Sequence, residues 1–266
     1  LFHFFPGSLI LSTGTFGCNL ACAFCQNYAL AHEEPVTRKV DVSGLVDAAL
    51  QCKPQGSVGV AFTYNEPSIW YEYVRDAAVK LKENDLKVVL VTNGYIEKQP
   101  LEELLPYIDA MNIDVKAFTD EFYRRNCRGK LDAVKATVET AVGKTHVEIT
   151  NLVIPGENDA PGEIEGLARW LASLNPDIPL HLSRYHPAYQ FQKEATPEKT
   201  MEMARDAARQ DLNFVYLGNL GGENNNTFCR ACGKLLISRN VYHTHITGLE
   251  RGNCTNCGSK IAYIIS

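Results

Sequence analysis

Apolar residues along this chain fall into short runs, alternating with longer segments in which they recur every three or four positions. The first run, Leu9-Ile10-Leu11 within 8–13, is a buried-strand signal that stops at Gly14. Residues 41–52 have helical spacing, with Leu45, Val46, Ala49 and Leu50 on one side. A Val-rich strand is predicted over 57–64, and Glu66-Pro67 opens an amphipathic helix running to about residue 84. Further strands are predicted at 87–92, 110–115, 146–154, 179–183 and 213–217, with helices at 99–105, 131–142, 161–174 and 197–210. Strand then helix, repeated with mostly short links, predicts an α/β fold whose parallel sheet is built of βα units. Periodicity alone leaves two closures open, a doubly wound sheet or a partial or complete barrel.

Each predicted strand passes into a polar or glycine-bearing cluster. The first leads into Gly14-Thr15-Phe16-Gly17-Cys18-Asn19-Leu20-Ala21-Cys22-Ala23-Phe24-Cys25. Later ones lead into Asn65-Glu66-Pro67, Thr92-Asn93-Gly94, Asp114-Val115-Lys116, the stretch 151–156 and Tyr185-His186-Pro187. In parallel α/β architectures these ends share one face, where active sites sit. Taken singly, Thr-Asn-Gly and Asn-Glu-Pro are also the composition of turns and helix caps. Asp114 and Lys116 flank one residue at a strand end and so point to the same side, an acceptor and a cation suited to a zwitterion's ammonium and carboxylate.

Three cysteines within eight residues, Cys18, Cys22 and Cys25, are spaced for a metal and not for a disulfide framework. A closed site asks for four protein ligands and no fourth lies nearby, which favours an iron centre with an open position; zinc completed by a distant Cys or His is the alternative. A second set, Cys229-x2-Cys232-Gly233 and Cys254-x2-Cys257-Gly258, is separated by 21 residues, the spacing of a zinc ribbon and equally of rubredoxin-like iron. His243 and His245 lie between these knuckles and are expected to be surface strand residues. The turn-rich stretch 219–228 lacks apolar periodicity, so the expected organisation is a large domain over 1–218, a linker over 219–228 and a small metal-binding domain over 229–266. Cys52 and Cys127 belong to neither set and are expected to be packed thiols. Cys127 stands among Arg124, Arg125, Arg128 and Lys130, a setting that lowers a thiol pKa and keeps a reactive role open.

With 266 residues, 45% of them hydrophobic and 21% charged, the chain has ordinary globular composition, and disordered and fibrous classes are excluded. No apolar run approaches the roughly 20 residues of a membrane helix, and Leu1-Phe2-His3 lacks the basic start of a signal peptide. Together with the clustered thiols this predicts a reducing, cytoplasmic setting without membrane contact. The chain begins without Met, so residues upstream of Leu1 are expected. Residues 229–266 hold five Lys and Arg against Glu250 alone, a net of +4, which leaves −9 for the remainder of a chain at −5. That basic segment has no aromatic-basic interleaving suited to base stacking, so nucleic acid is not the expected partner.

The C-x3-C-x2-C spacing, with Phe24 just before the last cysteine, resembles the signature of the radical S-adenosylmethionine (SAM) enzymes. The resemblance implies a TIM-like (β/α) barrel, partial or complete, followed by the zinc-ribbon-like domain. It also implies a [4Fe-4S] cluster with Cys18, Cys22 and Cys25 each on one iron, SAM chelated to the fourth, and Phe24 against the adenine. Asp114-Val115-Lys116 resembles the Asp-x-Lys element that glycyl-radical-enzyme activases use around SAM, and His186 resembles their histidine near the ribose and adenine. Asn65-Glu66-Pro67 occupies the place of the Gly-Gly-Glu motif that receives the SAM amino group, and Asn93 that of the adjoining Thr-Asn-Gly contact. Two positions depart: Asn65 replaces a glycine, and Val91 stands where the activases have an Asp.

From Phe4-Phe5-Pro6-Gly7-Ser8 through the ribbon, the chain resembles the radical SAM protein of the AmmeMemoRadiSam group, a relative of the pyruvate formate-lyase activating enzymes, whose members usually carry a cysteine-containing segment upstream. What this implies is an oxidoreductase that takes an electron from a donor such as flavodoxin or ferredoxin and reductively cleaves SAM to a 5′-deoxyadenosyl radical. The radical abstracts a hydrogen atom from a substrate, which in those relatives is a glycine of a partner protein. A reading from a different class is a metal-binding adaptor, its first metal structural and its ribbon recognising nucleic acid or protein.

Overall fold

The computed structural model describes residues 1–220, 225–240 and 243–265. In chain order the elements up to the middle are β1 (Leu9–Thr13), α1 (Tyr28–His32), α2 (Val42–Cys52), β2 (Ser57–Phe62), a 3₁₀ turn (Pro67–Trp70), α3 (Tyr71–Glu83), β3 (Lys87–Thr92), α4 (Lys98–Leu104) and β4 (Ala110–Asp114). There follow α5 (Asp120–Phe122), a π-helical turn (Tyr123–Cys127), α6 (Leu131–Ala141), β5 (His146–Val153), α7 (Pro161–Leu174), β6 (Leu180–Arg184), α8 (Glu198–Ala208) and β7 (Val215–Gly218). The order of the seven-stranded sheet is the order of the sequence, β1 to β7. A doubly wound sheet reverses direction at a switch point, and this strand order contains none.

The chain divides into two compact units, one of Ser8–Val147 with Pro187–Glu194 and one of Leu1–Gly7, Glu148–His186 and Ala195–Ser266. In the first, β1 pairs with β2, β2 with β3 and β3 with β4, all parallel. The run Ser57-Val58-Gly59-Val60-Ala61-Phe62 is buried at every position but Val58, as a strand covered on both faces requires. Its register sets Val60 beside Val88, and Leu90 in turn beside Met111. Helix α2 starts where the Asp41 carboxylate accepts the Gly44 N–H at 2.8 Å, and it buries Leu45, Val46 and Ala49. Helix α3 buries Val74, Ala77, Ala78 and Leu81 on one stripe.

Two expectations need correction here. The segment 8–13 is a strand, but Leu9 is 59% exposed and Ile10 and Leu11 are half-buried, because β1 begins the sheet order with β2 as its partner. The helix expected from Glu66 opens as the 3₁₀ turn, since the Glu66 side chain accepts the Ser68 N–H and Pro67 sets the first helical position, and regular α-helix begins only at Tyr71.

In the second unit β5 pairs with β6 and β6 with β7, again parallel, and α7 packs beside α8. The cysteine-bearing segment adds β8 (Thr227–Phe228), β9 (Leu235–Asn240) and β10 (His243–Ile246) as an antiparallel sheet, and β11 (Leu249–Glu250) with β12 (Asn253–Cys254) as a small hairpin. Its apolar side is continuous with β7: Phe214 and Tyr216 form one buried cluster with Leu236, Ile237, Ile261 and Ile264. The first residues of the chain are tied to the same unit. Glu148, fully buried, accepts the Phe2 and His3 N–H groups at 2.8 Å each and meets His181 Nε2 at 2.6 Å, while the Arg239 guanidinium lies over the Phe2 ring and donates to the Phe2 carbonyl. Of the linker expected at 219–228, residues 221–224 lie outside the described residues. His243 and His245 are exposed on β10. No helix among the described residues is long and apolar enough to cross a membrane.

Candidate cluster and cofactor site

The loop that carries Cys18, Cys22 and Cys25 follows β1 and is fastened on three sides. Gly14 lies so close to the Thr63 carbonyl that a Cβ there would sit 2.5 Å from the oxygen, so only glycine lets the loop leave β1 at this angle. The Asn65 side chain then bridges the loop, its Oδ1 accepting the Thr15 N–H at 2.9 Å and its Nδ2 donating to the Gly17 carbonyl at 3.2 Å. Tyr64, just before it, holds a left-handed φ of 73° while its carbonyl accepts from Asn27 Nδ2 at 3.0 Å. On the far side Ala21 and Ala23 donate to the carbonyls of Cys127 and Asn126, both at 2.9 Å. A turn with Cys25 N–H on the Cys22 carbonyl closes the loop at 3.1 Å.

Sulfur donors and their surroundings suit a metal. Cys18 Sγ accepts from the Leu20 N–H at 3.4 Å and from Asn93 Nδ2 at 3.5 Å. Burial pushes the Cys18 and Cys25 thiols up, whereas a hydrogen bond from Cys127 pulls Cys22 down against burial. The positive charge of Lys116 acts on all three thiols in the direction that favours thiolate. Three thiol donors on one loop, with N–H donors on Cys18 Sγ and a positive charge close enough to favour thiolate, fit the three-cysteine side of a [4Fe-4S] cluster.

The strand-end residues divide into those that shape the site and those that face it. Glu66 is buried, and its carboxylate is fully engaged: Oε1 accepts from Ser68 N–H at 3.0 Å and Thr92 Oγ1 at 2.8 Å, Oε2 from Asn93 N–H at 2.8 Å. Burial pushes this carboxyl above the usual range despite those donors. Glu66 thus fixes the Thr92-Asn93-Gly94 turn, where Gly94 has a φ of 70° and packs against Ile113. Asn93 in turn reaches back to the loop, donating to Asn19 Oδ1 at 2.9 Å as well as to Cys18. Asp114 and Lys116 do point to the same side, and they meet: Lys116 Nζ lies 2.6 Å from Asp114 Oδ2, with the side chains 18% and 29% exposed. Burial pulls the Lys116 ammonium down, but the Asp114 carboxylate together with the sulfurs of Cys22 and Cys127 more than offsets it, and the group is held well above its ordinary range. The Lys116 N–H donates to the buried Tyr123 hydroxyl at 2.9 Å.

Phe24 is buried between Phe122 and Phe191, with ring centroids 5.6 and 5.8 Å away. His186 is exposed two residues beyond β6 and belongs to the second unit, whereas Phe24, Asn65, Glu66, Asn93, Asp114 and Lys116 belong to the first. Sequence patterning did not reveal the carbonyls of Asn126 and Cys127, the Tyr123 hydroxyl or Asn19 as parts of this site. The run Tyr123-Arg124-Arg125-Asn126-Cys127 has no apolar period, and its unusual composition around Cys127 was the one available signal.

The second cysteine set has its own geometry. The sulfurs of Cys229, Cys232, Cys254 and Cys257 lie within 4.8 Å of one another, with 3.7 Å between Cys229 and Cys257 and between Cys232 and Cys254. Tetrahedral coordination at a metal–sulfur distance of about 2.3 Å sets the sulfurs about 3.8 Å apart, so the four thiols fit one ion. Each knuckle is closed by a left-handed glycine, Gly233 donating to the Cys229 carbonyl at 2.8 Å and Gly258 to that of Cys254 at 2.9 Å.

Residues 12–171 match the family described as the Radical SAM superfamily. Over its whole length the chain is 38% identical to "Uncharacterized protein MJ0808" of Methanocaldococcus jannaschii, covering 81% of that protein. It is 24% identical to a pyruvate formate-lyase-activating enzyme of Staphylococcus aureus, over 65% of this chain and 72% of that one. Among solved structures, Streptococcus suis SuiB bound to S-adenosylmethionine superimposes with a TM-score of 0.63 at 17% identity, covering 80% of this chain and 51% of that chain. This chain therefore spans about half the length of SuiB. The profile match over most of the α/β region, with a full-length relative well above 30% identity, establishes that the chain belongs to the radical SAM superfamily.

Proposed function

We propose that Cys18, Cys22 and Cys25 hold a [4Fe-4S] cluster, that SAM binds beside it in the first unit, and that the enzyme removes a hydrogen atom from a polypeptide substrate. The observation that carries this reading is that the region matching the radical SAM family holds both the Cys18, Cys22 and Cys25 loop and, at the end of β4, the Asp114–Lys116 pair with 2.6 Å between carboxylate and ammonium. When bound, cluster and SAM together supply a 5′-deoxyadenosyl radical from one electron. The chain's residues do the rest. Asp114 takes the ammonium and Lys116 the carboxylate of the methionyl end, exchanging their mutual contact for two charge-assisted ones. Asn65 and Asn93 hold the loop, Glu66 holds Asn93, and Phe24 contributes an apolar wall.

A polypeptide target, and a glycine within it, is supported by two likenesses: the Staphylococcus aureus relative is named for activating pyruvate formate-lyase, and SuiB has been solved bound to its precursor peptide SuiA. We further propose, on the overall resemblance, that the chain is of the AmmeMemoRadiSam group and acts in the reducing cytoplasm with a flavodoxin- or ferredoxin-type donor. Cys229, Cys232, Cys254 and Cys257 hold a structural zinc or iron in a ribbon-like domain. The test is anaerobic reconstitution followed by reduction with SAM present. A brown protein that forms 5′-deoxyadenosine supports the reading; a colourless protein that binds only zinc and leaves SAM intact returns it to a metal-binding adaptor.

A further inference from the structure

Asn93 is buried, and the direction of its side-chain amide is fixed by the backbone of Tyr95, which offers one acceptor and one donor. The Tyr95 carbonyl can only accept, so the Asn19 NH2 group faces it at 2.6 Å and Asn19 Oδ1 is left for Asn93. The Tyr95 N–H can only donate, so it takes Asn93 Oδ1 at 2.8 Å and sends the Asn93 NH2 group toward the cysteine loop. There one N–H goes to Asn19 Oδ1 at 2.9 Å and the other to Cys18 Sγ at 3.5 Å. Turning either amide over would set donor against donor and oxygen against oxygen, so the N–H on the sulfur has no competing orientation. The turn beneath is pinned as well: the Asn93 N–H lies on the Glu66 carboxylate at 2.8 Å, and Gly94 donates to Thr92 Oγ1, itself bound to Glu66. The Leu20 N–H is a second donor on the same sulfur, at 3.4 Å.

We propose that Asn93 is a positioning residue of the iron-sulfur centre: acting through Cys18, its side-chain N–H raises the reduction potential of the cluster, and Tyr95 and Glu66 exist in this site to aim it. This rests on the assignment of Cys18 as a cluster ligand. Reduction adds one negative charge to cluster and thiolates, and a donor on a ligand sulfur stabilises that charge, so hydrogen bonds to the sulfurs are among the determinants of such potentials. Burial of the amide strengthens the effect, because little water is present to screen it. Only an electron is transferred; the amide protons stay on nitrogen, and the electron comes from the chemical reductant. If Asn93 served only to tie the turn to the loop through Asn19, its loss would loosen the loop and leave the potential where it is.

The measurement poises the full reconstituted chain, without SAM, at graded potentials with dithionite and mediators and reads the electron paramagnetic resonance (EPR) signal of the reduced cluster. Asn93→Ala is expected to keep four irons in the loop site but to hold about tenfold less reduced cluster at a given potential, the loss of one hydrogen bond to a charged group. By the one-electron constant this is a shift of about 59 mV to the negative. Asn93→Asp, nearly isosteric and still able to accept the Tyr95 N–H, puts a carboxylate oxygen where the NH2 group was and is expected to shift the potential further the same way. Asn19→Ala removes the tie between turn and loop while leaving the Asn93 N–H in place, and is expected to move the potential much less. An unmoved or more positive potential in Asn93→Ala or Asn93→Asp, equal shifts in Asn19→Ala and Asn93→Ala, or loss of the loop irons in both Asn93 variants would each overturn the proposal. Failure of the unsubstituted chain to bind four irons would instead overturn the cluster assignment beneath it.

Discussion

Glu66→Gln separates two roles for the buried carboxylate, since its two oxygens receive three donors from the protein itself: Ser68 N–H, Thr92 Oγ1–H and Asn93 N–H. Gln is nearly isosteric but offers one acceptor oxygen and one NH2. Whichever way it turns, an NH2 group faces a backbone N–H, that of Ser68 or that of Asn93. The loss of one charge-assisted hydrogen bond and the stranded donor cost about 1.5–3 kcal/mol and about 1–3 kcal/mol. Part is regained, because burial already disfavours the charged carboxylate and raises its pKa. A net loss of about 2 kcal/mol follows, or roughly 4–8 °C in melting temperature for a domain of this size. The assay is thermal unfolding of the cluster-loaded protein alongside SAM affinity. If Glu66 instead receives the SAM amino group, as its motif position implies, Gln would weaken SAM binding and leave the melting temperature in place. That result would refute the positioning role.

Lys116→Ala is expected to weaken SAM binding by about 1.5–3 kcal/mol, roughly 10- to 100-fold, with iron content unchanged; unaltered affinity with a lowered melting temperature would reduce the Asp114–Lys116 contact to a structural ion pair. Chelation of the metal at Cys229, Cys232, Cys254 and Cys257 is expected to lower the melting temperature, because that segment shares a buried cluster with Phe214 and Tyr216, while the loop irons stay in place. Calorimetry before and after chelation reads the first effect and iron analysis the second.

Much of this was legible in the chain. The strands β2 to β7 announce themselves as apolar runs, and the two cysteine spacings mark the two candidate metal sites, because period and spacing are local properties. What was hidden depends on partners distant in sequence. Asn65 stands where the activases carry glycine, and only the fold shows its amide bridging Thr15 and Gly17. Glu66 reads as a cofactor contact or a cap, and it proves to cap Ser68 while also holding Thr92 and Asn93, more than twenty residues on. Leu9 reads as buried from its neighbours in sequence, but its place at the start of the sheet order leaves it exposed. The π-turn that supports Cys22 has no periodic signature, since its extra residue breaks the spacing by which helices are recognised.

The central claim, that three thiolates of one loop leave an iron open for SAM beside Asp114 and Lys116, is tested most directly by EPR of the one-electron-reduced, reconstituted protein before and after SAM is added. A four-iron signal that changes on SAM addition is predicted, with both signal and change lost when Cys18, Cys22 or Cys25 is replaced by Ala. A spectrum indifferent to SAM, or a cluster that survives any one of those replacements unchanged, would contradict the account.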